Sequence, residues 1–280
     1  MSVTITTLVD NTPGEHDGLR SEHGLSFYIE TPAHALLFDT GQSKAFFDNA
    51  SVLNLPVLDR ITHVVLSHNH YDHTGGLSTL IQNTHNPLHI HVGQGFFTPK
   101  YALNGPSRMY LGSSFTREEL ITSGQHVHEH RDDLEAILPD VYLITNFPRN
   151  VDTAWKNPRF VIPEGDSYVT DSFSDEISVV IRTPKGLVLL VGCSHPGILN
   201  IISSVQQRFK EPLYAVLGGT HLVEAQGHRL DQAIGFFKQM DRTLLGMSHC
   251  TGDYGMKRLQ EVCSNYYHNH TGDSLIISCS

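Results

Sequence analysis

Within the run Leu-Ser-His-Asn-His-Tyr-Asp-His-Thr-Gly-Gly at 66–76, His68, His70, Asp72 and His73 offer three imidazoles and a carboxylate. Donors of these types at this density suit Zn²⁺, with Fe and Mn²⁺ also matching the set. An apolar, β-branched stretch at 61–66 has strand character and stops abruptly at the cluster, so a buried strand would fix the ligand directions. Side chains alternate along extended backbone, which turns His68 and His70 to the same side, where they can share one ion. The turn that follows redirects Asp72 and His73 toward a second ion beside the first, the arrangement used in two-metal hydrolysis. Gly75 and Gly76 permit tight backbone geometry where the chain leaves for a helix near Leu77.

The elements that must position these residues are strands ending in polar loops. Stretches at 2–9, 25–31 and 35–38 read as strands, and the last runs into Asp39-Thr40-Gly41. Asp39 either caps the short helix at 45–50 or accepts a hydrogen bond from a metal-bound histidine. A helix at 77–82 and a strand at 88–92 complete a β-loop-α-β unit. The strand-to-histidine grammar returns at Gly-Cys-Ser-His-Pro-Gly (192–197), Gly-Gly-Thr-His (218–221) and Ser-His-Cys-Thr-Gly (248–252), each followed by a helical stretch. Ligands gather at the carboxyl ends of strands in α/β folds, so His195, His221 and His249 are placed to meet the first loop. A strand at 274–278 closes the chain.

Residues 93–165 have an insert-like composition within one domain spanning 1–280. Glycines and prolines interrupt aromatic positions there, so Phe96 and Tyr101, with Phe97 and Tyr110, are candidates to stack against a flat ligand or to pack the insert's own core. Arg149, with Lys156 and Arg159, forms a cationic cluster that could hold a phosphate or carboxylate, unless solvent takes it. His89 and His91 share one strand face and read as partly buried or surface histidines rather than ligands; His126, His128 and His130 alternate on another strand, where an exposed polar face accounts for the spacing better than a metal does.

The motif His-x-His-x-Asp-His followed by Thr-Gly-Gly resembles the signature of the metallo-β-lactamase superfamily. That resemblance implies an α/β fold: an αββα sandwich of two mixed β-sheets flanked by helices, with two divalent ions at one edge. It also favours Asp39 as the partner of a metal-bound histidine. Where hydrolases of the superfamily place a metal-bridging aspartate, this chain has Cys193, with His195 two residues on. The expected ligand sets are His68, His70 and His195 for one ion and Asp72, His73 and His249 for the other, with Cys193 and Asp39 behind the ligands. Asp72 and His221 are the expected catalytic residues, His221 as a hydrogen-bond donor to the developing oxyanion. The implied reaction is hydrolysis of a small phosphoester or other ester by a metal-activated hydroxide. The segments at 66–76, 192–198, 218–222 and 249–252 further resemble the subgroup that includes dihydropterin-type synthases, which would make the chain a transferase releasing pyrophosphate. A diiron redox or metal-sensing protein is the reading from a third class.

Composition narrows the partners. With 280 residues and 39% hydrophobic content the chain can bury a substantial core. Nineteen Lys+Arg against 29 Asp+Glu give a net charge of −10, which disfavours nucleic acid and anionic membranes and leaves a small anionic molecule as the expected substrate. No apolar run approaches the roughly 20 residues of a membrane span, and no basic leader opens the chain, so a cytoplasmic location is expected. Cys193, Cys250, Cys263 and Cys279 show no C-x-x-C spacing and no disulfide framework. Sequence leaves the oligomeric state open.

Overall fold

A computed structural model describes residues 2–152, 156–225 and 227–278. Cys279 lies outside the described residues. In chain order the strands are β1 (Ser2–Val9), β2 (Ser26–Glu30), β3 (Ala35–Phe38), β4 (Ile61–Val65), β5 (His89–Gly93), β6 (Tyr101–Asn104), β7 (Ser107–Tyr110), β8 (His126–His130) and β9 (Leu134–Leu138). They continue as β10 (Val141–Ile144), β11 (Phe160–Glu164), β12 (Ser167–Thr170), β13 (Ser178–Thr183), β14 (Gly186–Val191), β15 (Leu213–Gly219), β16 (Leu244–Ser248) and β17 (Ser274–Ser278).

Two mixed sheets carry the fold, in the orders β17-β1-β2-β3-β4-β5-β8 and β16-β15-β14-β13-β10-β9. The parallel pairs β3–β4–β5 and β14–β15–β16 are each joined through helices, as parallel neighbours require. Alternation along the strands sorts their side chains into layers. Val3, Phe27, Leu36 and Val65 of the first sheet meet Leu143, Val179, Val188 and Leu217 of the second in one buried cluster between the sheets. The residues facing the other way pack under helices: Leu37, Val64 and Ile90 against Ala45–Val52 and Leu77–Asn83, and Leu187, Leu189 and Val216 against Ile198–Phe209 and His228–Gln239. The result is the helix-sheet-sheet-helix order expected from the motif, built by period-two alternation on strands and a 3.6-residue apolar face on helices.

The region 93–165 is more regular than its composition suggested. The hairpin β6–β7 joins β11 and β12 in a third, antiparallel sheet, while β8 extends the first sheet and β9 and β10 the second. Arg117–Thr122 forms a helix whose N-terminus is fixed by Thr116 and Glu119 in reciprocal capping. Two stacking candidates change role here. Phe96 is fully buried in the core beneath the first sheet's helices, edge-on to Phe97, so its ring has no face to offer a ligand. Tyr101 packs edge-on to Tyr110 and Tyr168 within the third sheet. Among the described residues, no helix is long and apolar enough to cross a membrane.

Candidate metal centre

β4 delivers the metal loop as the sequence implies. His70 is extended and precedes a short helix, Tyr71–Thr74, which swings Asp72 and His73 away from the strand axis. The loop is pinned from below by Asp39, whose carboxylate accepts from the Ser67 amide (2.7 Å), the Ser67 hydroxyl (2.7 Å) and His73 Nδ1 (2.7 Å). Asp39 itself adopts φ 59°, a left-handed conformation that aspartate tolerates and that aims its side chain under the loop. The bond to Nδ1 fixes the His73 tautomer and leaves Nε2 facing the centre. Asp39 makes no cap to the following helix, which has no side-chain cap at all.

From the second sheet, β14 ends at Cys193 and His195, β15 at His221, and β16 at His249. Gly192 lies where a strand end closely approaches the metal loop, and Gly219 where two strand ends approach each other. A Cβ at Gly192 would collide with Ser67, and one at Gly219 with the Cys250 sulfur.

Nitrogens of His68, His70 and His195 lie within 4.8 Å of one another, all buried. His70 Nε2 and both ring nitrogens of His195 have no hydrogen-bond partner, an uncommon state for buried polar atoms unless an ion is their partner. On the other side, Asp72 Oδ2 stands 3.7 Å from His73 Nε2, 3.4 Å from His249 Nε2 and 3.2 Å from His23 Nε2. Cys193, expected behind the ligands, reaches His73 Nε2 at 3.2 Å; its sulfur falls into one group with His68 and His73 and another with His249 and Cys250. It thus stands among the donors, between the two positions. The donor set fits divalent ions of the zinc type: imidazoles, one carboxylate and a thiol converging from two sheets.

The electrostatics agree with that fit at the first position, whereas at the second His73 and the Cys193 thiol would each have to give up a proton to an ion. Burial, aided by neighbouring imidazoles, holds His68 and His195 well below the ordinary histidine range; burial does the same to His70, so all three are neutral with lone pairs available. Burial also disfavours charge on His73, yet Asp39 and Asp72 outweigh it and lift that imidazole to about 9. Asp72 is held well below the usual carboxylate range, because the charge of His73 and hydrogen bonds from His23 and His249 overcome its burial. Burial pushes the Cys193 thiol well up, reinforced by Cys250. His221, left-handed at φ 48° with its ring 4.5 Å from that of His195, is lowered by burial to about 4.

A cleft of about 460 Å³ opens onto this cluster, with His70, Asp72, Cys193, His195, His221 and His249 in its floor and Met109, Val223 and Phe160 in its walls. Arg159 reaches it, pairing with Glu224 at 2.7 Å. Arg149 does not: it donates to the Ser172 carbonyl and lines a neighbouring cavity with Glu176 and Phe173. Several participants escape sequence reading. His23, in a coil between β1 and β2, carries no periodicity; Asn11, whose Oδ1 lies 2.8 Å from His249 Nδ1, is equally unmarked. Phe173 stacks on His195 with ring centroids 3.7 Å apart and an 8° tilt, with the Lys100 ammonium 4.7 Å from its own centroid. Lys100 bridges Asp171 (2.6 Å) and Asp175 (2.8 Å), and Asp175 in turn accepts from the Asn69 amide in the metal loop. Glu176, raised to about 8 by burial, accepts from the His195 amide.

An αββα sandwich whose sheet edges converge buried imidazoles, a carboxylate and a thiol under an open cleft defines a class of metal-binding proteins. Residues 20–196 match the family model of the metallo-beta-lactamase superfamily, and the chain belongs to that superfamily. It is 30% identical to the 7,8-dihydropterin-6-methyl-4-(beta-D-ribofuranosyl)-aminobenzene-5'-phosphate synthase of Methanocaldococcus jannaschii, over 90% of this chain and 88% of that protein. In structure it is similar to Tm1679, described as a metal-dependent hydrolase of the beta-lactamase superfamily, with a TM-score of 0.84, 27% identity and 98% of each chain covered. A diphosphatase of the PhnP family shares the fold at a TM-score of 0.55 and 13% identity, over 99% of this chain and 98% of that one.

Proposed function

We propose that the protein is a metal-dependent hydrolase of a small anionic phosphoester or other ester, working with two divalent ions, Zn²⁺ first among them. The observation that carries this reading is the convergence of the His68, His70 and His195 nitrogens beside Asp72, with His70 Nε2 and His195 left without hydrogen-bond partners at the floor of an open cleft. His68, His70 and His195 would hold one ion, and Asp72, His73 and His249 the other, with Cys193 between them. When bound, such ions supply Lewis acidity to polarise the ester and acidify water.

The chain's own residues do the rest. Asp39 keeps the proton on His73 Nδ1, so Nε2 would become the donor atom once an ion takes the place of its proton. Asp72, held ionised, can orient the attacking water by accepting its hydrogen bond. His221, at the cleft wall, is placed to donate to the developing oxyanion. Arg159 supplies positive charge for an anionic group, and the apolar walls take the remainder of the molecule.

The synthase reading is supported by the 30% identical relative, and it would use the same donors to hold pyrophosphate as it departs. Metal analysis of protein purified without added metal, followed by a panel of phosphodiesters, lactones and pterin pyrophosphates, separates the readings. Turnover of simple esters at about two ions per chain is the expected result. Turnover restricted to pterin pyrophosphates would move the protein to the transferases, and iron with a reversible colour change would overturn hydrolysis in favour of redox chemistry. His68→Ala and His249→Ala should each lower bound metal while leaving a folded chain, and full metal content in both would sink the ligand sets.

A further inference from the structure

Outside this centre, six histidines gather on one face of the first sheet. His63 of β4, His89 and His91 of β5, and His126, His128 and His130 of β8 lie on adjacent parallel strands, in a register that sets His63 beside His89, His89 beside His126 and His91 beside His128. The residues between them, Val64 and Ile90, face the helix-side core, so the imidazoles line the opposite face, toward the second sheet, near the edge made by β8. Apolar side chains ordinarily fill such a position, since buried polar nitrogens need partners.

The partners here are other imidazoles. His89 Nδ1 and His128 Nε2 are 2.9 Å apart with rings tilted by 17°, and His91 Nδ1 and His130 Nε2 are 2.8 Å apart with rings tilted by 29°. His130 Nδ1 donates to Glu135 Oε2 at 2.7 Å across from β9, the carboxylate-to-imidazole bond that commonly orients a metal-ligating histidine. His91, 4% exposed, has its Nε2 without a hydrogen-bond partner.

We propose that His89, His91, His128 and His130 form a second, separate site for one transition-metal ion of tetragonal preference, Ni²⁺ or Cu²⁺, with Glu135 as the positioning residue of His130. An ion with nitrogens at about 2.05 Å in adjacent square-planar or octahedral positions holds them about 2.9 Å apart, the spacing each pair already has. The ion can take the place of a shared proton by ring rotation, with the strands left where they are. Half-buried His89 and His128, flanked by His63 and exposed His126, form the solvent side through which the ion enters and water completes its shell. Burial and mutual repulsion hold His91 at about 2 and His128 below its ordinary value, so these two are neutral at pH 7, as ligands must be. Among the described residues no three nitrogens of this patch are drawn together as in the main centre, so one pair receives the ion and the rings of the other pair turn toward it.

The test counts metal. Native protein, a His89→Gln/His128→Gln/His130→Gln variant, a Glu135→Gln variant and a His126→Ala variant are each saturated with Ni²⁺, gel-filtered and analysed for ions per chain, with Cu²⁺ electron paramagnetic resonance on separately copper-loaded native and Glu135→Gln proteins. The native chain should carry one ion more than the triple variant and the same number as His126→Ala. Glu135→Gln should bind that ion about tenfold more weakly. The main centre is intact in every sample, so the difference reads this site whatever the main centre binds. Equal metal in the native and triple-variant proteins overturns the proposal, as does an ion lost with His126→Ala alone. Should the triple variant fail to fold, copper spectra that are identical in the native and Glu135→Gln proteins overturn it.

Discussion

Cys193 stands where its thiol touches His73 and shares donor groups with His68 on one side and His249 on the other. A thiol raised by burial gives up its proton only against a nearby cation, whereas a carboxylate is ionised already. Cys193→Asp should therefore tighten the second ion, measured as metal affinity in a folded protein; equal or weaker binding would place Cys193 outside the bridging position. His221→Ala should keep most of the metal and lose activity by about 10²-fold in kcat, the usual cost of removing an oxyanion donor. Loss of one ion per chain would instead make His221 a ligand and reopen the role given to His195. Phe173 is buried, left-handed at φ 52° and stacked on His195. Phe173→Ala should destabilise the chain by about 3 kcal/mol in urea unfolding, the cost of an emptied aromatic site, and weaken the first ion by freeing the His195 ring.

At the scale of elements, the histidine-bearing strands make the fold sensitive to acid. His63 is lowered to about 4 and His91 to about 2, both by burial first and then by neighbouring imidazoles, against 6.5 for an ordinary histidine. The unfolded chain therefore binds more protons than the folded one below that value, so stability is full above pH 6.5 and falls as the pH drops toward 4. The melting temperature of chelator-treated protein should decline across that window, and less steeply in His63→Gln. A flat profile would show that these imidazoles take up protons as readily in the folded chain as in the unfolded one. The strands that carry the centre are legible in sequence because each joins an unbroken apolar run to a polar loop, as in β4, β14, β15 and β16. The third sheet is not: β7 is exposed throughout, and β11 contains a proline, so neither pattern nor propensity marks them. The same limit hid His23 and Phe173, which reach the centre from coil through tertiary contacts that no local period encodes.

The whole molecule is closed at its active edge by side chains from both sheets, so ions there act as a clamp between halves that otherwise meet through apolar packing. Removing them with a chelator should lower the melting temperature, by an amount that grows with free metal as the logarithm of concentration over Kd. A melting temperature indifferent to metal would show the donors preformed and unstrained. The donors are strewn from His23 to His249, and β1 pairs with β17 near the opposite end of the described chain. A ribosome making roughly 5–20 residues per second releases the first four ligands about 9–35 s before the last. Until His249 emerges, Asp72 and His73 are a half-built chelate on a growing chain, able to seize whatever ion is abundant nearby. The identity of the metal in the finished protein is thus decided partly by what the cell supplies during those seconds, and expression in media of different metal content should yield chains of different metal content.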